Sequence, residues 1–393
     1  MTATSPIKNH QLKVALVYDR INIAYGGAEQ VLLILHKLFP NAPIYTSVYN
    51  RHQSPWAEDL KIIPSFLQTW PGATSYHRCY VPLMPLAFES LDLSDYELIV
   101  SVTSAEAKGV ITKPEQIHLS YLLSPSRYLY SHKKQYLRSR SILTKPGVNW
   151  LSRHLLEYLK WWDQAAIHRP DFIIPLSRKI QQRIKTYYDL ETLEPIYPPI
   201  DAINLNTNLD SLKDLDLPSE YYLVVSRLVP YKNIDIAIKA CQRLNRHLVI
   251  VGTGPHLNKL KKIAGKDSHH LIHFLSEQAQ TTVNTLMQQA KLFLSPAEDD
   301  FGLAPLQANL FGTPAIIYQQ SGVAEVFKNR LQGTIMPEAT TESLVNSISH
   351  TSSLEFDPDK MKQAATQFDQ TRFLFNFKNV VKTIVANKLG KKL

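Results

Sequence analysis

Arg227 and Lys232 stand five residues apart at the end of a β-branched run, YYLVVSRL. Two cations at the carboxyl end of a strand can straddle a diphosphate. The arginine offers a planar fork and the lysine a mobile point charge, and together they neutralise charge developing on a leaving group. Further along, KLFLSPAEDDFGLAPLQANLFGTPAIIY places Glu298, Asp299, Asp300 and then Phe301, Gly302 and Leu303 between a strand and a helix. Pro305 suits the first turn of that helix, Gly312 the position past its end, and Pro314 its stop. The amides of Gly302, Leu303 and Ala304 would then form an anion site. Asp299 beside it would meet sugar hydroxyls, and Gln307, inside the helix, could bond a ribose. Gly26 and Gly27, before another helix, would let a ligand come close to that helix start. Each feature also has a plain structural reading: solvated surface cations, acids complementing a helix dipole, a glycine turn.

Other chemistries lack their residues. Gly252-x-Gly254 superficially suggests a dinucleotide fingerprint, but Leu257 stands at the third glycine position and no ribose-binding acid follows at the required distance. No Cys or His cluster has metal-ligand spacing, and neither a GxxxxGK[ST] loop nor a GxSxG elbow occurs. Cys79 and Cys241 are no disulfide framework, and a reducing compartment is expected.

The elements that must position these residues alternate from end to end. Strands are expected at LKVALVYD, PIYTSVY, ELIVSVTS, HLSYLLS and DFIIPLS, with a helix over Ala28 to Phe39 after the first. Past the Pro-, Asn- and Asp-rich IYPPIDAINLNTNLDSLKDLDLPSE the alternation restarts: YYLVVSRL, helix IDIAIKACQRL, RHLVIVG, helix HLNKLKKIA, LIHFL, helix TTVNTLMQQA, KLFLSP, a helix, and AIIYQ. This is an α/β chain of two doubly wound parallel-sheet domains, expected over 1–200 and 201–370, with a final helix over 371–393. Ligands in such sheets lie beyond the carboxyl ends of the strands. The loops after Asp19, Ser226, Val251, Leu275 and Pro296, and a cleft between domains, are where a site is expected.

Composition sets the outer limits. With 393 residues, 44% hydrophobic and 20% charged, the chain is globular rather than disordered or repetitive. No signal-peptide pattern and no apolar run of about 18 residues occurs, so a cytoplasmic protein is expected. The net charge of +9 is concentrated: from Ser126 to Trp162 there are eight Lys and Arg, beginning at Arg127, against Glu157 alone. Tyr128, Tyr130, Tyr136, Trp150, Tyr158, Trp161 and Trp162 are interleaved with them, a mixture suited to an anionic membrane surface or a phosphorylated ligand. The bland alternative is a basic helix snorkelling over core aromatics. No nucleic-acid recognition pattern accompanies the charge.

Taken in order, YGGAEQVL, PLMPLAFESLDLSDYELIVS, AKGVITKPEQIHLSY, SPSRYLY, WWDQAAIHRPDF, IYPPID, SRLVPYKNIDIAI, VGTGP, FLS and SPAEDDFGLAPLQANLFGTPAI resemble the retaining glycosyltransferases of family 4 over roughly 12 to 330. The central segments look most like bacterial polysaccharide mannosyltransferases. The resemblance implies a GT-B architecture, two Rossmann-like domains facing across a cleft. It implies a GDP- or UDP-linked sugar donor, a saccharide or lipid-linked acceptor, and no cofactor or required metal. Arg227 and Lys232 would hold the diphosphate, with Asp299 beside the sugar. Gly252, Leu275, Phe301, Gly302, Leu303 and Gln307 would line the donor site, and Gly26 and Gly27 would approach from the other domain. Ser104, Leu123 and Arg127 would lie on the acceptor side. Peripheral contact with the inner face of the cell membrane through 126–162 would suit a lipid-linked acceptor.

The departures from that pattern matter as much. The family's paired glutamates, with seven residues between them, fall on Asp299 and Gln307; Leu123 and Ser104 stand where histidines are usual. Gln307 keeps hydrogen bonding without charge, whereas Leu123 has no hydrogen-bonding atom. Two readings follow: an active hexosyltransferase with altered preference, or a catalytically impaired nucleotide-sugar binder acting as scaffold or partner subunit.

Overall fold

A computed structural model describes residues 12–23, 25–131, 146–200, 202, 205–265 and 270–391, with the backbone alone over 146–152. Residues 1–11, where a signal peptide would be sought, and residues 201, 203 and 204 of the linker lie outside the described residues. The chain divides into two compact units, Met1–Tyr197 with Phe373–Leu393, and Pro198–Arg372.

The first unit runs β1 (Val14–Tyr18), α1 (Gly27–Leu38), β2 (Ile44–Thr46), β3 (Ile62–Pro64), α2 (Met84–Glu89), β4 (Leu98–Thr103), β5 (Ile117–Leu122), α3 (Pro146–Ala166), β6 (Phe172–Pro175) and α4 (Arg178–Tyr188). The second runs β7 (Tyr222–Val225), α5 (Ile234–Leu244), β8 (Leu248–Val251), α6 (Leu257–Ala264), β9 (Ile272–Leu275), α7 (Gln280–Gln289), β10 (Leu292–Ser295), α8 (Ala304–Leu310), β11 (Ala315–Tyr318), β12 (Gly333–Met336), α9 (Thr341–Ser352) and α10 (Pro358–Thr366). A last helix, α11 (Gln370–Leu389), carries the chain back to the first unit.

Both sheets are parallel and six-stranded, ordered β3-β2-β1-β4-β5-β6 and β12-β11-β10-β7-β8-β9. Read from its opposite edge, the second order repeats the first, and both are the doubly wound Rossmann order. The order reverses between β1 and β4 and again between β7 and β10, the places where such sheets open a crevice. Every residue of β1, β4, β5, β8 and β11 is buried, which is why these strands read as unbroken apolar runs and not as alternating ones. Two strands that the sequence pattern does not mark, β3 and β12, lie at sheet edges and are three and four residues long. β3 is only half-buried, so its burial signal is weak.

Candidate functional site

The switch point of the second unit carries a recess of about 70 Å³. Its floor is the end of β7 (Val225, Ser226) and of β10 (Ser295, Pro296), and its wall includes Lys232, Asp299 and Gly302. Local structure explains the arrangement. After β7 the chain makes one 3-10 turn, Pro230–Lys232, and Asn233 takes a left-handed φ of 52° before α5. Asn233 Nδ2 donates to the Pro296 carbonyl at 3.1 Å, joining the two loops that frame the recess. Gly302, at φ +97°, turns the chain from the acidic trio into α8; a Cβ there would stand 3.3 Å from both Asp299 Oδ2 and Ser321 Oγ. As the sequence leads one to expect, Pro305 lies in the first turn of α8 and Gly312 follows its end at φ +80°.

The central contact is an ion pair. Lys232 Nζ donates to Asp299 Oδ1 at 2.7 Å and Oδ2 at 2.9 Å, with the lysine side chain 18% and the aspartate side chain 10% exposed. Arg227 is exposed and donates from Nη2 to the Tyr231 hydroxyl at 3.4 Å, while Lys232 Nζ lies 5.6 Å from the centre of the Tyr231 ring. The two cations therefore differ: Lys232 is already committed to a carboxylate, whereas Arg227 reaches over the surface. Phe301 is buried, its carbonyl accepting from the Val323 amide and the Ser321 hydroxyl. Leu303 lines the recess; Gln307, half-buried one turn into α8, does not.

Gly252 and Leu275 end the β8 and β9 stretches beside β7, outside the lining of the recess, and the Gly252 amide donates to the Leu275 carbonyl at 3.1 Å. A Cβ on Gly252 would lie 2.1 Å from the Ser226 carbonyl oxygen, and its φ is +136°. The glycine spacing that mimics a dinucleotide fingerprint thus serves close packing of the β8 loop on the β7 loop.

The switch point of the first unit is bridged by its own residues. Buried Asp19, at the end of β1, accepts from the Thr103 hydroxyl (2.7 Å), the Ser104 amide (2.7 Å) and the Ala107 amide (2.9 Å). Ser104 is spent on this bridge, its hydroxyl also pointing to Asp19 at 3.4 Å. Leu123 is buried after β5 with its amide bonded to the Thr103 carbonyl, and Arg127 is half-buried. Gly26 precedes α1 and Gly27 opens it; buried Glu29, bonded by the Tyr18 hydroxyl at 2.6 Å, supplies a carboxylate to that helix start. A charged cluster that spacing alone did not reveal lies next to Asp19. Glu106 is buried, accepts from the Tyr128 hydroxyl at 2.7 Å, and lies 3.9 Å from Arg20. Burial holds its carboxyl above the usual range, Arg20 pulling the other way.

Of the basic segment, Lys133, Lys134, Tyr136, Arg138, Arg140 and Lys145, together with the side chain of Trp150, lie outside the described residues. On α3, Tyr158 and Trp161 are exposed beside Arg153 and Lys160, while Trp162 turns in and donates to Glu89 at 2.7 Å. Among the described residues no group of three or more His, Cys, Asp or Glu could hold a metal, and no helix is long and apolar enough to cross a membrane.

Residues 211–368 match the family model described as Glycosyl transferases group 1. An uncharacterized glycosyltransferase of Methanocaldococcus jannaschii is 23% identical over 196 residues, 46% of this chain and 49% of that protein. The D-inositol 3-phosphate glycosyltransferase of Mycobacterium tuberculosis is 25% identical over 211 residues, 48% of this chain and 43% of that one. The chain spans about half the length of these curated relatives. Whole-chain likeness appears among solved structures. The Anabaena HepE protein in complex with UDP-glucose aligns with TM-score 0.69 at 17% identity, over 94% of this chain and 100% of that one. Sucrose-phosphate synthase from Thermosynechococcus elongatus aligns with TM-score 0.71 at 14% identity, over 95% and 100%. Residues 211–368 thus match a glycosyltransferase group 1 family model, within a chain whose two Rossmann-like units have the GT-B fold.

Proposed function

We propose that this chain is a glycosyltransferase whose second unit takes a nucleoside-diphosphate sugar at the β7–β10 switch point and passes the hexose to a saccharide or lipid-linked acceptor with retention. The observation that carries this reading is the recess at the second switch point, with Lys232, Asp299 and a glycine turn on its wall. The glycosyltransferase group 1 match over 211–368 spans that recess. HepE, solved with UDP and with UDP-glucose, supports a uridine donor; the mannosyltransferase-like segments support a guanosine one.

In this reading Lys232 and the exposed Arg227 neutralise the diphosphate as the sugar leaves, so side chains supply the positive charge. The acceptor hydroxyl attacks from the leaving-group face and its proton passes to the departing phosphate. The protein's part is to hold both partners in reach and to stabilise developing charge. A lipid-linked acceptor would bring α3, with Trp161, Tyr158, Arg153 and Lys160 outward, to an anionic membrane surface. Binding without turnover, as scaffold or partner subunit, is the second reading; it is favoured by the uncharged Gln307 standing outside the recess.

Thermal unfolding against UDP, GDP, ADP and their sugar conjugates tests the donor site, since a ligand of the folded state raises apparent stability by RT ln(1 + [L]/Kd). A base-selective shift, lost in the Arg227→Ala/Lys232→Ala double variant, is expected. No shift in folded protein would sink the donor reading, and a shift without sugar transfer to any acceptor would favour the scaffold.

A further inference from the structure

Between β3 and α2 the first unit forms no α-helix. Pro64, Pro71, Pro82 and Pro85, with the Gly72 turn at φ +66°, break the stretch into single 3-10 turns. The stretch nevertheless has a floor of its own, the buried cluster of Val48, Leu67, Ala73, Met84 and Ala87. It is also pinned to the loops that follow β1 and β2. Gln68 accepts from the Tyr49 amide at 2.8 Å and donates to the Tyr49 carbonyl at 2.9 Å. Buried Asn22 donates to the Thr74 carbonyl at 3.0 Å and to His77 Nδ1 at 2.7 Å.

On this floor stand rings that face water. Trp70, 42% exposed, meets Phe66 and Tyr80 edge to face, with ring centres 6.0 and 5.8 Å away and planes at 61° and 85°. The Tyr80 hydroxyl donates to the Pro71 carbonyl at 2.6 Å, which fixes its ring. Large exposed apolar clusters mark binding surfaces, and one held in place by the backbone beneath has little freedom left to lose on binding. The polar groups between the rings decide what fits. From Phe66 to Tyr80 they are the neutral Gln68, Thr69, Thr74 and Ser75 together with His77, and Arg78 is the one full charge. An anionic lipid surface calls for several cations, which α3 carries and this stretch lacks. A neutral pyranose matches: its C–H face lies flat on an aromatic ring while its rim of hydroxyls bonds to uncharged donors and acceptors.

Position indicates which sugar is held. The stretch follows the carboxyl end of β3, the edge strand, which lies two strands and so ~10 Å from β1 and the switch point where such sheets take their ligands. Resting on the saccharide-acceptor reading above, we propose that Phe66, Trp70 and Tyr80 form a shelf that holds pyranose rings of the acceptor remote from the hydroxyl that reacts. The shelf favours acceptors of two or more neutral sugars over a single sugar, and binding energy gained there positions the reacting end.

The test is an array of immobilised glucans, mannans and xylans of one to six sugars, probed with the labelled full chain without nucleotide and followed by calorimetric titration of those bound. The wild type should bind some of them, more tightly as length grows from one to three sugars. Trp70→Ala, shown to be folded by circular dichroism, should weaken that binding about tenfold, while Trp70→Phe, which keeps a flat ring, should retain most of it. If Trp70→Ala does not fold, Phe66→Ala at the rim of the shelf should show the same direction of loss. No binding to any oligosaccharide, affinity that does not grow with length, or binding that both alanine variants leave unchanged overturns the proposal. Loss of phosphatidylserine-vesicle binding in Trp70→Ala, with glycan binding intact, would make the rings a membrane contact and overturn it too. Thermal shifts with nucleotides are read separately: shifts without oligosaccharide binding leave the donor reading standing and the shelf refuted, and oligosaccharide binding without shifts does the opposite.

Discussion

At the scale of single residues, burial gives some side chains roles that their types alone do not announce. His118, the second residue of β5, is fully buried, with Nε2 2.9 Å from the Ser101 hydroxyl. Burial pushes its imidazole pKa down to about 3, Arg169 adding to the effect and Asp171 opposing it. In the unfolded chain the same ring titrates near pH ~6.5. Because the folded value is the lower one, the unfolded chain binds a proton in that interval that the folded chain refuses. Stability is thus full above the unfolded value and is lost as pH falls towards the folded one. His118→Gln, which keeps a partner for Ser101, should flatten this loss by up to about 1.4 kcal/mol per pH unit. Denaturant unfolding of both proteins between neutral and acid pH measures the difference, and parallel pH profiles would refute it.

At the scale of elements, the motifs of the first unit form one buried polar knot. Asp163 of α3 accepts from Lys108 Nζ (2.6 Å), the Ser126 hydroxyl (3.0 Å), the Tyr130 hydroxyl (3.0 Å) and the Tyr188 hydroxyl of α4 (2.7 Å). Lys108 and Asp163 are both buried, and beside them Trp162 packs where a Cβ on Gly109 would be only 2.4 Å from its ring. The AKGV, SPSRYLY and WWDQ segments are therefore parts of one junction. Asp163→Asn leaves the Lys108 ammonium buried without its counter-charge and should cost ~3–5 kcal/mol. A chemical-denaturation midpoint close to the wild type's would contradict that. The opposite side of α3 faces outward, with Trp161 66% exposed. If it docks on anionic lipid, vesicles rich in phosphatidylserine should co-sediment the chain at low salt, less so at high salt and less in Trp161→Ala. Equal recovery with and without vesicles would remove the membrane contact.

At the scale of the whole molecule, the chain leaves the first unit at Tyr197 and comes back at Phe373. The returning α11 packs Phe373 and Phe377 edge-on against Tyr121 of β5, at ring distances of 5.7 and 6.2 Å. Lys388 then pairs with Asp171 at 2.7 Å, so both halves of the helix are anchored on the first unit. The first unit consequently depends on residues that follow the second unit in the chain. Phe377→Ala, at a fully buried position, should cost ~3–5 kcal/mol. Hydrogen exchange should show protection falling in β4 and β5 while β7 and β10 keep theirs; an equal fall in both units would show that the helix is not specific to the first.

Much of this was legible in the amino-acid order. Parallel sheets are buried on both faces, so their strands are apolar runs that stand out unaided, and glycine and proline punctuation marked α8 to within a residue. The edge strand β3 escaped because it is only half-buried, and β12 because its four residues, Gly333–Met336, are too few for a pattern to show. Arg227, Lys232 and Asp299 could be named as a group because each follows a strand end, but their spacing is silent on partners. That Lys232 is bound to Asp299, that Asp19 bridges the ends of β1 and β4, and that Gly252 serves packing were decided by tertiary structure alone. Those facts depend on which strands lie side by side, and strand order is set by contacts between residues far apart in the chain, which local periodicity does not encode.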